Sequence, residues 1–289
     1  MAELRRRDEQ LAAPAWNRYA ALFHAFTRWS EVRAVVSGTQ PIPTTPDRWP
    51  PPPHFHAVRD DGVRLDLPAA DAEGPLYDLL TSRRTTRAFD QSRAVQLDQL
   101  STVLRYVWGA HGSKSVRDPL VVLRKTSPSG GSQHPGEVYP LIRDVEGVEP
   151  GLYHYSVEHH ALEPVELMDA GRVRELVSAF SAGQDFFAGA HVVFLMTARF
   201  GRTFWKYRAH AKAYRTVLLD AAFLSQTLYL VCGELGLGAF VTGAINEQDI
   251  DAYLALPAFT EGTVLMTGCG IPDPSGPGAA VTPYRPPRA

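Results

Sequence analysis

One stretch limits what this chain can become more than any other. The stretch from Trp205 to Ile245 opens with Lys206-Tyr207, continues into a long apolar helix, and closes on Glu234-Leu-Gly-Leu-Gly-Ala-Phe-Val-Thr-Gly243. Tyr214, Val217, Ala221, Leu224, Leu228, Val231 and Leu235 recur at spacings of three and four, so they share one helical face. Leu219, Phe223 and Leu230 make the opposite face apolar as well, which predicts a helix buried on both sides. Asp220, Gln226 and Glu234 interrupt the run, so a core helix is expected rather than a membrane span. Gly236 and Gly238 stand where glycine ends a helix.

The rest of the chain reads as elements packed around that helix. Leu11, Trp16, Tyr19, Leu22, Phe23, Phe26 and Trp29 have helical spacing within residues 1–40, as a packing arm or a helix that recognises a partner peptide would. Pro41, Pro43, Pro46 and Pro50 to Pro53 form a stiff connector that cannot be helix. Residues 1–73 are therefore read as an N-terminal helical arm with its connector, and 74–289 as the main domain. Helices are expected over Leu76–Leu80, Leu97–Trp108, Gly171–Phe180 and Glu247–Leu256. Strands are expected over 138–144, 151–156 and 161–165, then at the continuously apolar 191–198, through Val241, and over 262–267. The residues between Trp108 and Lys125 read as a polar loop. The Pro- and Gly-rich tail from Pro272 is expected to wrap a surface, including that of a second subunit. Helices and strands mix without regular βαβ alternation, which predicts an α+β fold.

Composition narrows the function. A net charge of −2 gives no field that would call for nucleic acid or an anionic membrane. Cys232 and Cys269 have neither metal nor disulfide-framework spacing, and the N-terminal Met-Ala-Glu-Leu-Arg-Arg-Arg-Asp leads into no signal-like apolar core, so the cytoplasm is expected. His54/His56 and His159/His160 lack a third ligand at metal-site spacing, so no metal is expected. Gly233, Gly236 and Gly238 end a helix where a dinucleotide fingerprint would begin one.

Three segments could carry chemistry. Arg83-Arg84-Thr85-Thr86-Arg87 sets three guanidiniums beside two hydroxyls, a set suited to phosphate oxygens, though a solvated surface turn has the same composition. Ser127-Pro-Ser-Gly-Gly-Ser-Gln-His134 is a loop with few Cβ atoms, which lets backbone N–H groups approach a planar or anionic ligand, or makes a plain turn. Lys206-Tyr207, beside Phe204 and Trp205, would be a base and proton relay if the aromatics desolvate the amine, or a snorkelling lysine next to a packed tyrosine.

Taken in order, Ser-Arg-Arg-Thr-x-Arg-x-Phe, Pro-Ser-Gly-Gly-x-x-His-Pro-x-Glu-x-Tyr, Gly-Leu-Tyr-His-Tyr followed by His-x-Leu-Glu, Lys-Tyr-Arg-x(5)-Tyr-Arg and Gly-Leu-Gly-x-Phe-Val-x-Gly resemble one family. It is the SagB/McbC-type azoline dehydrogenases of the nitroreductase superfamily, FMN enzymes that oxidise thiazoline and oxazoline rings to azoles in ribosomally made peptides. The resemblance covers roughly residues 76–270. It implies a nitroreductase-like fold, with a mainly antiparallel sheet flanked by helices around a long buried helix, built as an intertwined homodimer. It implies that Arg83, Arg84, Thr85 and Arg87 hold the FMN phosphate and ribityl chain. Pro128, Ser129, Gly130 and Gly131 would line the isoalloxazine ring, and Val241, Thr242 and Gly243 would offer backbone groups to its other side. Arg285 matches a late basic residue near the phosphate by position. Lys206 and Tyr207 fall on the catalytic pair of the azoline dehydrogenases, a pair that general nitroreductases lack. A cyclodehydratase or other peptide-modifying enzyme is an implied partner. The alternatives are an NAD(P)H-dependent nitro- or quinone reductase and a catalytically silent flavin-fold scaffold in a peptide-modifying complex.

Overall fold

The computed structural model describes residues 16–32, 54–55, 65, 67–68, 72–117, 120–208, 210–257 and 259–276. The proline connector of residues 41–53, the tail beyond Gly276 and Arg285 lie outside them. The described helices are α1 (Arg18–Phe26), α2 (Pro75–Ser82), α3 (Leu97–Val107), α4 (Ala170–Phe180), α5 (Phe200–Lys206), α6 (Lys212–Glu234) and α7 (Glu247–Tyr253). The strands are β1 (Ala110–Arg117), β2 (Leu120–Lys125), β3 (Gly136–Ile142), β4 (Gly151–Ser156), β5 (Ala161–Leu167), β6 (Val192–Arg199), β7 (Gly238–Thr242) and β8 (Glu261–Gly270).

Strands β3 to β8 form a fully antiparallel six-stranded sheet in the order β5-β4-β3-β6-β8-β7. Its centre follows from the period of two in Val192-Val-Phe-Leu-Met196. Val192, Phe194 and Met196 pack with α3 and α6, whereas Val193 and Leu195 pack with α4 and the 3-10 turn Asp185–Gly189 on the other face. Both faces are covered, so the strand is apolar throughout. At about 1.5–3 kcal/mol for each large apolar side chain buried, residues such as Phe194, Leu195 and Met196 supply much of what holds the layers together.

Helix α6 lies on one face of the sheet and buries Ala213, Tyr214, Val217, Ala221, Leu224, Leu228 and Cys232. It is long and apolar enough to cross a membrane by length and composition, but this stripe places it in the core. Gly236, at φ 69°, ends it as an L side chain would not readily do. Gly238 lets Thr86 approach, because a Cβ there would stand 2.4 Å from the threonine hydroxyl.

Three expectations are corrected. The far face of α6 is not buried: Leu219 is 51% and Phe223 43% exposed, because no element among the described residues covers that side. The polar loop after Trp108 is the β1–β2 hairpin, whose first strand carries no apolar alternation and is made by backbone pairing. Lys206-Tyr207 does not run straight into the long helix. Lys206 ends α5, Tyr207 caps it, and a turn separates them from α6.

The described part of the arm is docked on the core. Asn17 caps α1 by accepting from the Tyr19 and Ala20 amides. Trp16 meets Phe204 edge-on at 4.6 Å, and Arg28 pairs with Asp251. His24 is buried and shares a 2.9 Å hydrogen bond with the Tyr214 hydroxyl. Burial, with the Arg28 charge adding to it, holds the His24 imidazole down at about 4.

Candidate functional site

Two clusters of the expected residues sit on different parts of α6. In the first, Ser127-to-His134 runs along the helix. The Ser127 hydroxyl meets that of Thr227 at 2.6 Å, the Ser129 hydroxyl donates to Asp220 Oδ2 at 2.5 Å, and the Gly130 amide donates to Asp220 Oδ1 at 3.0 Å. Asp220, which the sequence showed only as an interruption of an apolar helix, is the anchor of this loop. Burial pushes its carboxyl up, and the two donors from the loop oppose that shift.

The glycines in this loop have steric reasons. A Cβ on Gly130 would stand 1.9 Å from Thr216 Cγ2. Gly131 has φ 64°, and a Cβ on it would stand 2.6 Å from Lys206 Nζ. The Lys206 amine donates to the Gly131 carbonyl at 3.1 Å, so the lysine at the end of α5 lies against the turn. Its ammonium is 5.9 Å from the Tyr207 ring centroid, and the Tyr207 hydroxyl makes no hydrogen bond among the described residues. Lys206 is exposed rather than enclosed by the neighbouring aromatics, because Phe204 turns into the core against Trp16 while Trp205 faces outward. Helix α5 is tied to the loop a second time by Arg202, which donates to the His134 carbonyl at 3.1 Å.

The second cluster lies at the other end of α6. Thr85 bridges to Ala239 of β7, and the Thr86 amide donates to the Ala239 carbonyl at 2.8 Å. The Thr85 hydroxyl meets that of Tyr229 at 2.9 Å, and the Arg83 guanidinium stacks 4.9 Å from the Tyr229 ring centroid. Arg87 lies 5.9 Å from the Phe186 ring centroid. Arg83, Arg84 and Arg87 are exposed and have no carboxylate partner among the described residues, so they could take up a phosphate. Val241 and Thr242 end β7, an edge strand, and Gly243 follows it. The Thr242 hydroxyl is held by Gln184, which leaves the backbone as what this stretch offers a ligand.

The single chain does not bring these clusters together. Thr216 and Tyr229 mark them on α6, thirteen residues apart, which is roughly 20 Å along the axis and about 220° around it. Leu219 and Phe223, the exposed apolar residues, lie in the angular gap between the two.

A cleft of about 1300 Å³ lies beyond the loop. Lys125, Glu137, His154, Glu163 and Arg202 line it, and sequence reasoning assigned none of them. The available signal was the place of Glu137, His154 and Glu163 inside the motifs quoted above.

The nitroreductase family model matches residues 80–271. The chain is 31% identical over 199 residues to the Methanocaldococcus jannaschii protein MJ1384, across 69% of this chain and 93% of that protein. It is 28% identical over 218 residues to the trifolitoxin-processing protein TfxB of Rhizobium leguminosarum bv. trifolii, across 73% of this chain and 57% of TfxB, so it spans little more than half of that relative's length. Among solved structures, a chain of the E. coli microcin synthetase McbBCD complex matches in fold with a TM-score of 0.59 at 18% identity, over 93% of this chain and 91% of that one. With the six-stranded antiparallel sheet, the helices on both faces and the family match over residues 80–271, the chain belongs to the nitroreductase family.

Proposed function

We propose that this chain is an FMN-dependent dehydrogenase that oxidises a thiazoline or oxazoline ring in a modified ribosomal peptide to the azole. The observation that carries the reading is the contact of Lys206 with the Gly130-Gly131 turn, with Tyr207 beside it. The 28% identity to a protein named for processing trifolitoxin supports a peptide as substrate.

The residues present fit FMN. Three guanidiniums without carboxylate partners suit its phosphate, and a turn with no room for Cβ atoms suits a close-lying flat ring. A second copy completes the site in this reading. If two copies pair antiparallel across Leu219 and Phe223, the Arg83 end of one α6 meets the Gly130 end of the other, and Arg83, Arg84, Thr85 and Arg87 face Pro128, Ser129, Gly130 and Gly131 across the interface.

Bound FMN supplies the acceptor for the two electrons. Lys206 takes the proton from the activated ring carbon. The hydrogen bond from the amine to the Gly131 carbonyl holds the lysine beside the turn for that task. Tyr207, with an uncommitted hydroxyl, assists by donating to the ring heteroatom or relaying the proton. Closure of the site by the second copy would exclude water from the amine, which is exposed in the single chain.

The test is purification with FMN followed by turnover of a thiazoline-bearing peptide. Yellow protein that aromatises the ring supports the reading. Protein that binds no FMN on reconstitution sinks it. The likeness to MJ1384 keeps an NAD(P)H-dependent reductase as the second reading, recognised by rapid flavin reduction on adding NADPH.

A further inference from the structure

Four lysines occur in the whole chain, Lys114, Lys125, Lys206 and Lys212, among 29 basic residues. Two of the four stand beside the same loop. Lys206 lies against Gly131, and Lys125, the last residue of β2, lines the cleft behind Ser132, Gln133 and His134.

The cleft is built in layers. Its floor is one face of the sheet edge, where Glu137 of β3, His154 of β4 and Glu163 of β5 are joined. His154 Nε2 lies 3.1 Å from Glu137, and His154 Nδ1 lies 3.0 Å from Glu163. Arg202 closes on the other Glu137 oxygen at 2.5 Å. Burial works against charge on both His154 and Glu137, but the contacts prevail: the carboxylates raise the imidazole, and Arg202 with His154 brings Glu137 down to about 2. The walls are apolar, with Val121 and Leu123 on the hairpin, Val165 on β5, and Trp205.

Both floor carboxylates are thus engaged, and Lys125 has no hydrogen-bond or ion-pair partner among the described residues. Arg202 and His154 are committed to Glu137 and Glu163, which leaves Lys125 as a cleft-lining amine without an ion pair among the described residues. Loss of water around the amine, with Arg202 nearby, brings Lys125 down to about 8 despite the pull of Glu137. A half-buried amine that faces an apolar-walled cleft without an acceptor would gain a charge-assisted hydrogen bond from an anion.

We propose that this cleft is a substrate subsite in which Lys125 binds a carboxylate of an extended peptide, with the neighbouring side chains of that peptide against Val121, Leu123 and Val165. The inference rests on the peptide-dehydrogenase reading and names the substrate it takes: a peptide with an acidic side chain, or its own C-terminal carboxylate, next to the oxidised ring.

The scarcity of lysine makes the test direct. The full chain, loaded with FMN, is reductively ¹³C-dimethylated, and the Lys125 signal is assigned by its loss in Lys125→Met. The probes are the blocked pentapeptides acetyl-Gly-Val-Asp-Val-Gly-amide and acetyl-Gly-Val-Asn-Val-Gly-amide, and the Asn peptide with a free C-terminus. The Asp peptide or the free-acid peptide is expected to move the Lys125 signal and raise its titration midpoint, and the arm that does so identifies the source of the carboxylate. Lys125→Met is expected to weaken that peptide at least tenfold and Lys125→Arg much less. No movement with either carboxylate peptide, or equal movement with the blocked Asn peptide, overturns the proposal. If Lys125 stays still while the unmethylated protein turns over the thiazoline peptide, this subsite fails alone. If Lys125 responds but the protein takes up no FMN on reconstitution, the dehydrogenase reading fails alone.

Discussion

The Lys206 amine donates to the Gly131 carbonyl across 3.1 Å, joining the end of α5 to a turn 75 residues earlier in the chain. Lys206→Ala is expected to lower turnover of a thiazoline peptide by about 10²–10⁴-fold with FMN content unchanged, as removal of a positioned proton acceptor does. Tyr207→Phe is expected to lose less, because the ring remains to pack against the Tyr214 cluster. Unchanged turnover in both variants would make the pair structural.

Gly130→Ala is expected to destabilise the fold by about 1–3 kcal/mol, the usual range for overpacking, because the new methyl group would collide with Thr216 Cγ2. Adding Thr216→Ser removes that atom and leaves the remaining contacts at 3.4 and 3.8 Å, so the double variant should recover most of the loss. Urea midpoints of the three proteins decide it, and failure of the second change to rescue would place the strain elsewhere.

Leu219→Asp with Phe223→Asp puts two charges on the exposed stripe of α6. The expected result is a monomer by light scattering that retains its circular-dichroism spectrum and loses FMN. A monomeric protein that keeps full FMN content would show that one chain holds the cofactor alone.

Arg83→Ala and Arg87→Ala are expected to reduce bound FMN at least tenfold at limiting cofactor, since a charge-assisted phosphate contact contributes on the order of 1.5–3 kcal/mol. Flavin absorbance after desalting reads this directly. Retention equal to the parent protein would return the arginine cluster to the solvated surface.

The arm should loosen in acid. His24 is held near 4 in the folded chain against 6.5 when free, so between those values the unfolded chain binds a proton that the folded chain refuses. Stability is therefore full above pH 6.5 and falls as the pH drops towards 4, by a total of about 3 kcal/mol. His24→Gln should flatten that slope in urea melts at pH 7 and pH 5. A slope identical to that of the parent protein would show that His24 is not its source.

Much of the fold is legible locally. The period of two in Val192–Met196 and the spacings of three and four from Tyr214 to Leu235 are enough to mark β6 and α6, because burial on known faces imposes those periods. The β1–β2 hairpin escaped because its backbone bonds, and not a buried face, make it. The apolar far side of α6 was read as buried since composition records that a surface avoids water, not whether another element packs on it.

The sequence by itself determined the order of the elements, the helix stop at Gly236 and the succession of motifs that marks the family, since each depends on residues close along the chain. Tertiary structure alone decided that Asp220 anchors the glycine loop, that Lys206 lies against it, and that the arginines and glycines occupy different faces of α6. Those relations join residues about 75 to 145 positions apart, or faces of one rigid helix, and only the packing of sheet and helices fixes which of them meet.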